Sequence, residues 1–374
     1  MNFDQKPDRS SSFAYKWEKY KDTDVLPCWI ADTEFRCAEP ILDALKQRAE
    51  HGLLGYTLPK HHQPALDAIV HWCKRQYQWD IHPSWIVWTP GVVPAFNMAT
   101  LAFSNIGDGV IVQTPNYPPL LAAPGINHRK QLAVPTMLKE GRWTLDLEAF
   151  EQQAAKPSTT LFIMCNPMNP AGSVMTFEEL DTIAEICQRH NVMVCSDEIH
   201  CDLILDDLRH IPAGKHPSLK DNSVTLMAAS KTFNVAGLGT SFAIIPSAKV
   251  RSSFVAAGAG IVPWVNVMGL EATATAFTKC DEWYQAQLRY LRDNRDYLVR
   301  AINRIEGLTC EAPQATFLLW VDASALQLED TQRWCEERGV GPSQGKDFGA
   351  PECFRINFGC AREYLEQIVA RLSA

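Results

Sequence analysis

Two rhythms of apolar residues alternate along this chain. The first consists of short continuous runs: Trp85-Ile86-Val87-Trp88-Thr89, Val110-Ile111-Val112-Gln113, Thr160-Leu161-Phe162-Ile163-Met164-Cys165, Val192-Met193-Val194-Cys195, Val224-Thr225-Leu226-Met227-Ala228-Ala229 and Phe242-Ala243-Ile244-Ile245. Runs of this length, apolar on both faces, predict strands buried inside a sheet that helices cover. In the second rhythm apolar residues return every three or four positions. It is carried by Ile41, Leu42, Leu45 and Ala49, by Leu66, Ile69, Val70 and Cys73, by Phe96, Ala99 and Leu101, and by Leu180, Ile183, Ala184 and Cys187. It returns from about Met268 to Phe277 and in a long run from Asp281 to Ile305. These spacings predict helices with one buried stripe. Gly52 and Gly55 end the first of them before Tyr56.

Thr176 and Glu179 have the spacing of a capping box at the start of the Leu180 helix. That helix separates the strand ending at Cys165 from the one ending at Cys195, so the two form a βαβ unit and should be parallel. Before Phe242 there is room only for the Gly237-Leu238-Gly239 turn, which predicts an antiparallel strand there. The tail follows a different order: strand Thr316 to Val321, helix Thr331 to Arg338, strand Phe354 to Phe358, helix Arg362 to Leu372. It reads as a smaller α+β unit. The segment up to about Glu39 is aromatic and turn-rich with poor helical periodicity, an arm that joins this unit. The expectation is an α/β protein with a large domain over 41–278 and a discontinuous small domain from 1–40 and 279–374.

Composition narrows the function classes. At 374 residues, 46% hydrophobic and 21% charged, the chain can bury a large core. Its net charge of −8 comes without a long basic run, which argues against a nucleic-acid or anionic-membrane partner and for small-molecule chemistry. Met1 to Lys6 has no apolar leader region, and no apolar run spans a bilayer, so a cytoplasmic protein is expected. The 12 cysteines show no Cys-x-x-Cys pair and read as reduced core residues. Ser10-Ser11-Ser12 is the one low-complexity run.

Three polar stretches follow three successive apolar strands: Asn166-Pro167-Met168-Asn169-Pro170-Ala171-Gly172, Ser196-Asp197-Glu198-Ile199-His200 and Ser230-Lys231-Thr232-Phe233-Asn234. In an open α/β sheet, ligands bind beyond the carboxyl ends of the strands, so Asn169, Asp197 and Lys231 are candidates to converge on one ligand. A lysine at a strand end either snorkels to solvent or uses its amine in the site. Asp197, after so apolar a strand, calls for a permanent cation opposite it unless it caps the next turn. A lysine that forms a Schiff base with an aldehyde cofactor, and an aspartate that protonates the cofactor ring, would satisfy both.

Asn-Pro-x-Asn-Pro, Asp-Glu-Ile-His and Ser-Lys-Thr-Phe-Asn, in this order, resemble fold-type I pyridoxal-phosphate enzymes of the class I/II aminotransferase superfamily. Tyr15-Lys16-Trp17-Glu18, Trp29-Ile30-Ala31-Asp32 and Phe354-Arg355-Ile356-Asn357-Phe358-Gly359-Cys360 extend the likeness over nearly the whole chain. Within that superfamily the chain looks like the MalY/PatB-type cystathionine β-lyases, or carbon-sulfur lyases. The resemblance implies a large domain built on a mostly parallel seven-stranded sheet, beside a smaller α+β domain. It implies that Lys231 binds pyridoxal 5'-phosphate covalently and then takes the substrate's Cα proton, and that Asp197 holds the ring nitrogen. Asn169 and His200 would lie near the ring hydroxylate, with Tyr117 stacked on the ring. Ser230 and the backbone of Val92 and Val93 would hold the phosphate, with Tyr56 reaching it from the neighbouring subunit of a homodimer. Arg355 would capture an α-carboxylate, and the backbone of Ala31 would touch it.

Two departures stand out. His200 occupies a place where aminotransferases of the superfamily commonly carry tyrosine, and Ala228 a place where the family often has a hydroxyl. Without the family, Arg355 reads as half of a cross-strand ion pair, Tyr56 and Tyr117 as packing, and Pro90-Gly91-Val92-Val93-Pro94 as a plain strand-to-helix turn. His200 beside Cys195 and Cys201 does not make a metal site, because no second ligand pair has zinc spacing. Neither Gly237-Leu238-Gly239 nor Gly258-Ala259-Gly260 completes a dinucleotide fingerprint. The expected activity is β-elimination from a cysteine thioether such as cystathionine. Transamination of an L-amino acid is the alternative, and a cofactor-binding regulator with little turnover the third.

Overall fold

The computed structural model describes residues 1–5, 7–8 and 12–374; Ser10 and Ser11 of the serine run lie outside the described residues. From the N-terminus the chain forms α1 (Tyr15–Glu18), β1 (Leu26–Pro27), α2 (Glu39–His51), α3 (Gln63–Tyr77), β2 (Ile86–Thr89), α4 (Val92–Phe103) and β3 (Gly109–Thr114). There follow α5 (Pro118–Ile126), β4 (Lys130–Lys139), β5 (Arg142–Leu145), α6 (Leu147–Ala154), β6 (Thr159–Cys165), α7 (Phe177–His190), β7 (Met193–Asp197), β8 (Ser223–Met227) and β9 (Ser241–Ile244). The remainder is α8 (Ala248–Ala257), α9 (Val267–Lys279), α10 (Asp281–Ile302), β10 (Leu318–Asp322), α11 (Thr331–Glu337), β11 (Val340–Gly341), β12 (Ser343–Gln344), β13 (Cys353–Asn357) and α12 (Arg362–Leu372).

The main sheet has the order β2-β9-β8-β7-β6-β3-β4-β5. Strands β8, β7, β6, β3 and β4 run parallel, and β9 is antiparallel to both β8 and β2. The expected seven strands are present, and β5, a short antiparallel partner of β4, adds an eighth. The continuous apolar runs are explained by cover on both faces. Val110, Val112, Leu161 and Ile163 pack with Phe96 and Phe254 on one side. Ile111, Phe162 and Met164 pack with Phe150, Leu180 and Ile183 on the other. A strand alternates its side chains between faces, so both parities must be apolar when both faces are covered. The Thr176 and Glu179 capping box forms as expected.

Several elements escape the sequence pattern. Strand β4 buries little beyond Val134 and Thr136, so no apolar run marks it. Helix α5 opens with Pro118 and carries Pro124 inside, which masks a helical reading.

What positions the site is the parallel register of three neighbouring strands. Cys165 lies level with Asp197, and Asp197 with Leu226, so β6, β7 and β8 deliver Asn169, Asp197 and Lys231 to one edge of the sheet. A second sheet, β10-β13-β12, sets Arg355 between Trp320 and Ser343. The N-terminal arm is drawn across the gap. Its β1 pairs with β11, and the Asn357 amide nitrogen donates to the carbonyls of Ile30 and Asp32, both at 2.6 Å. From the Lys231 side, Asn234, in the left-handed region at φ 56°, donates to Thr33 O (3.0 Å) and Phe35 O (2.8 Å). Buried Lys16 ties Asp32 and Glu34 from behind, at 2.6 and 2.7 Å.

Asn357→Ala leaves the Ile30 carbonyl and the Gly359 N–H without their partner, while the Asp32 carbonyl keeps Lys16 Nζ at 2.8 Å. At roughly 1–3 kcal/mol per orphaned buried group, partly relieved by water, the expected loss is about 3 kcal/mol. Limited proteolysis should show earlier cleavage in the arm near Ile30; unchanged protection would mean that the other clamps suffice.

Candidate active site

A cavity of about 650 Å³ opens where the two sheets meet. Lys231, Asp197, Asn169, His200, Tyr117, Ser230, Val92, Val93, Arg355 and Ala31 all line it. Tyr56 does not. It is fully exposed and meets Trp264 edge-on at 6.3 Å in a separate apolar recess with Leu54 and Ile261.

Asp197 forms the floor, 3% exposed, with one backbone donor, Ile199 N–H, at 3.2 Å. Among the described residues no cation lies within ion-pair distance of it. Burial pushes its carboxyl up to about 7, against the pull of that N–H and of Lys231. Lys231 moves the opposite way. Desolvation brings its amine down to about 8; nearby Asp32 and Asp197 oppose the shift and Arg355 adds to it. Its Nζ donates to Ala31 O at 2.6 Å, so the Ala31 carbonyl is occupied by the lysine in this state. The carboxylate and the amine thus both sit near the pH at which their proton is mobile.

Arg355 is the second buried charge, 4% exposed. Its Nη1 donates to Asn169 Oδ1 (2.8 Å), and its Nη2 to Trp29 O (2.6 Å) and Ser343 Oγ (3.0 Å), while Nε has no partner among the described residues. Every oxygen that it meets is neutral. The Phe348 ring lies 4.8 Å from the guanidinium carbon, and desolvation lowers even this group to about 10. Among the described residues the cross-strand ion pair that β13 alone suggests does not form. Instead a cation with an open fork faces the cavity, the arrangement that a carboxylate ligand fits.

His200 is buried, edge-on to Phe317, and its Nδ1 has no partner among the described residues. Desolvation, then Lys231 and Arg355, hold it well below the usual imidazole range, so it is neutral. Tyr117 has its hydroxyl pushed upward by burial and by Asp197. At the far wall α4 begins with Val92, Val93 and Pro94 after Gly91, whose φ of 132° only glycine adopts easily. First-turn N–H groups have no intrahelical partner, and since Pro94 has none to give, Val92 and Val93 supply the donors. Ser230, 9% exposed, adds a hydroxyl. Ala228 brings none, but Thr240, which the sequence did not single out, brings a hydroxyl to the same cavity. The other residues missed from sequence are Ser343 and Phe348 around Arg355, and the clamp Asn234 inside the Lys231 motif itself.

The chain belongs to the aminotransferase class I and II family, whose model matches residues 31–372. It is 37% identical to the cystathionine β-lyase PatB of Bacillus subtilis (strain 168), over 100% of this chain and 99% of that protein. The crystal structure of OvoB superposes with a TM-score of 0.97 at 41% identity, covering 100% of this chain and 98% of the other. Cystalysin from Treponema denticola, solved with pyridoxal 5'-phosphate, superposes at 0.94 with 28% identity and the same coverage. Family and fold class are therefore those that the motifs led us to expect.

The lowered Lys231 proton affinity has a direct readout. A neutral amine acylates and an ammonium does not, so in cofactor-free protein labelling of Lys231 by acetic anhydride, followed by mass spectrometry, should be half-maximal near pH 8 rather than near its ordinary value of 10.5. Arg355→Leu removes a cation that disfavours the ammonium, so the midpoint should move to higher pH. A midpoint that stays put would show that burial alone sets it.

Proposed function

We propose that this protein is a pyridoxal 5'-phosphate-dependent carbon-sulfur β-lyase that cleaves cystathionine or a related cysteine thioether to pyruvate, ammonia and a thiol. The observation that carries the cofactor is Asp197, a buried carboxylate with no cation within ion-pair reach among the described residues, in the same cavity as a lysine whose amine is brought down to about 8. A pyridine nitrogen that carries a proton supplies the missing cation, and an aldehyde suits the amine. The likeness to PatB supports elimination over transamination.

Lys231 would hold the aldehyde cofactor, and its amine, freed when substrate binds, would take the Cα proton. When bound, the cofactor supplies a protonated ring that accepts the electron pair left on Cα. Asp197 keeps the proton on that ring nitrogen. Asn169 accepts from Arg355 through Oδ1, which leaves its amide N–H groups for the ring hydroxylate. Neutral His200 would serve the same oxygen, and Tyr117 would cover the ring face. Val92 N–H, Val93 N–H and Ser230 Oγ would hold the phosphate by the helix-terminus rule for anions. Arg355 fixes the α-carboxylate and so aims the Cα–H bond at Lys231. With the proton on Lys231, the thiolate leaves Cβ with the bonding pair, and the released aminoacrylate hydrolyses to pyruvate and ammonia.

The same proposal includes a cytoplasmic homodimer in which Tyr56 reaches the partner's phosphate. It is supported by exposed apolar residues around that tyrosine: Leu53 68%, Leu54 59%, Ile261 76% and Trp264 62%. Among the described residues no helix is long and apolar enough to cross a membrane. The division into 41–278 and 1–40 with 279–374 belongs to it too, supported by the separate three-stranded sheet and by the pairing of β1 with β11.

Cystathionine with no 2-oxo acid should give pyruvate and homocysteine over many turnovers. If pyruvate stays absent while an added 2-oxo acid becomes its amino acid, the enzyme is an aminotransferase. Lys231→Ala should lose the cofactor band that borohydride fixes, and nearly all turnover with it. Arg355→Lys trades a bidentate fork for a point charge, so the KM for amino acids should rise about tenfold or more with the band intact. Loss of the band instead would make Arg355 structural. Sedimentation should show a dimer, and a monomer with full cofactor occupancy would remove Tyr56 from the site.

A further inference from the structure

Three of the charged side chains that line the cavity, Lys231, Asp197 and Arg355, have been accounted for. Lys19 and Asp347 line it too, and nothing in the chemistry above uses them. Both differ from the first three in depth. Asp197 and Arg355 are 3% and 4% exposed on the floor, whereas the Lys19 side chain is 39% exposed and Asp347 is exposed. A ligand anchored on the floor would meet them with its far end.

Both rim charges are tied to the setting of Arg355. The Lys19 ammonium rests 5.0 Å from the centre of the Trp29 ring, and the Trp29 carbonyl takes Arg355 Nη2. Asp347 precedes Phe348, whose ring packs against the Arg355 guanidinium, and follows Ser343, which also binds Arg355. The α-carboxylate anchor is therefore flanked by a cation from the arm and an anion from the turn after β12. Lys19 also lies 4.7 Å from the Tyr20 ring, but among the described residues neither rim charge is held in a close ion pair. Lys19 has Glu336 at 3.8 Å, the outer edge of an ion pair, while Glu336 already takes the Tyr20 hydroxyl at 2.7 Å. Asp347 accepts from the neutral Gln344 amide at 2.8 Å and pairs with no cation among the described residues.

We propose that Lys19 and Asp347 form a subsite for the leaving half of the substrate, selecting thioethers in which that half is itself an α-amino acid. Its carboxylate lies toward Lys19 and its ammonium toward Asp347. A neutral leaving group uses neither charge, and a singly charged one uses only one of them. The inference rests on the lyase reading above and deepens it, because that reading places Cα on the floor and sends the sulfur substituent outward.

The test uses the holoenzyme and four thioethers of cysteine: cystathionine, S-(2-carboxyethyl)cysteine, S-(2-aminoethyl)cysteine and S-ethylcysteine. For each, kcat/KM for pyruvate release is measured, together with the dissociation constant from the change in cofactor absorbance on mixing. Preferences are expressed relative to the ethyl compound. Lys19→Ala should lower the preference for the carboxyethyl compound by about two- to fivefold, the upper range of a partly exposed ion pair, and Lys19→Arg should restore it. Asp347→Asn should lower the preference for the aminoethyl compound by a similar factor, and Asp347→Lys should reverse it. Cystathionine should lose preference in either variant. The subsite is overturned if wild type shows no preference for distal charge, or if each variant changes all four compounds by one factor. Should no thioether yield pyruvate, the lyase reading has failed, and the dissociation constants still decide whether the rim reads distal charge.

Discussion

Burying a charge without its counter-charge costs several kcal/mol even after the protein relaxes around it, and this chain does so twice in one cavity. Among the described residues, Asp197 ends a strand on the floor with a single N–H for company, and Arg355 lines the same cavity from the other sheet with neutral oxygens only. Neither is neutralised by the other: among the described residues they form no ion pair. Tyr117, which feels both, lies in the wall with them. The upward displacement of the Asp197 carboxyl and the downward displacement of the Arg355 and Lys231 cations express the same desolvation. A ligand carrying a cationic ring nitrogen at one end and a carboxylate at the other would reverse these displacements. The binding energy is in this sense stored in the site as pre-formed, poorly solvated charge.

The fold holds this arrangement because no charged residue depends on its own loop alone. Lys231 is fixed by Asn234 three residues on, which grips the arm at Thr33 and Phe35. Arg355 is fixed within β13 and held by the arm at Trp29, and Asn357 grips the same arm at Ile30 and Asp32. The arm therefore works as a strap between the two sheets, and Ala31 at its middle takes the lysine's proton donor. Behind it, the clusters around Phe233, Trp72 and Phe277 supply the apolar burial that offsets the cost of the cavity.

How much of this was legible in the sequence depended on the range of the interaction. Lys231, Asp197 and Asn169 could be read because each is a polar residue ending an apolar strand, a local contradiction that only a site resolves. Strand parity made the covered sheet legible in the same way. The clamps were not legible, because Asn234 acts on Phe35 across 199 positions and Asn357 on Asp32 across 325. An asparagine in an apolar stretch looks alike whether it caps a turn or straps a domain. Lys19 and Asp347 escaped for a related reason: the rim exists only once the arm has crossed the cavity. β4 was silent because a strand near the sheet edge, with few buried positions, carries no apolar run.

The claim on which the rest depends is that Asp197 is kept buried and unpaired in order to hold a proton on the cofactor ring. Nitrogen-15 NMR of the holoenzyme, loaded with ring-labelled pyridoxal 5'-phosphate, reports that proton directly. The chemical shift should be that of a protonated nitrogen from about pH 6 to about pH 9, because the pyridinium and the Asp197 carboxylate each stabilise the other's charged form. Asp197→Ala should move it to the unprotonated value. A wild-type ring nitrogen that is unprotonated at neutral pH would contradict the account.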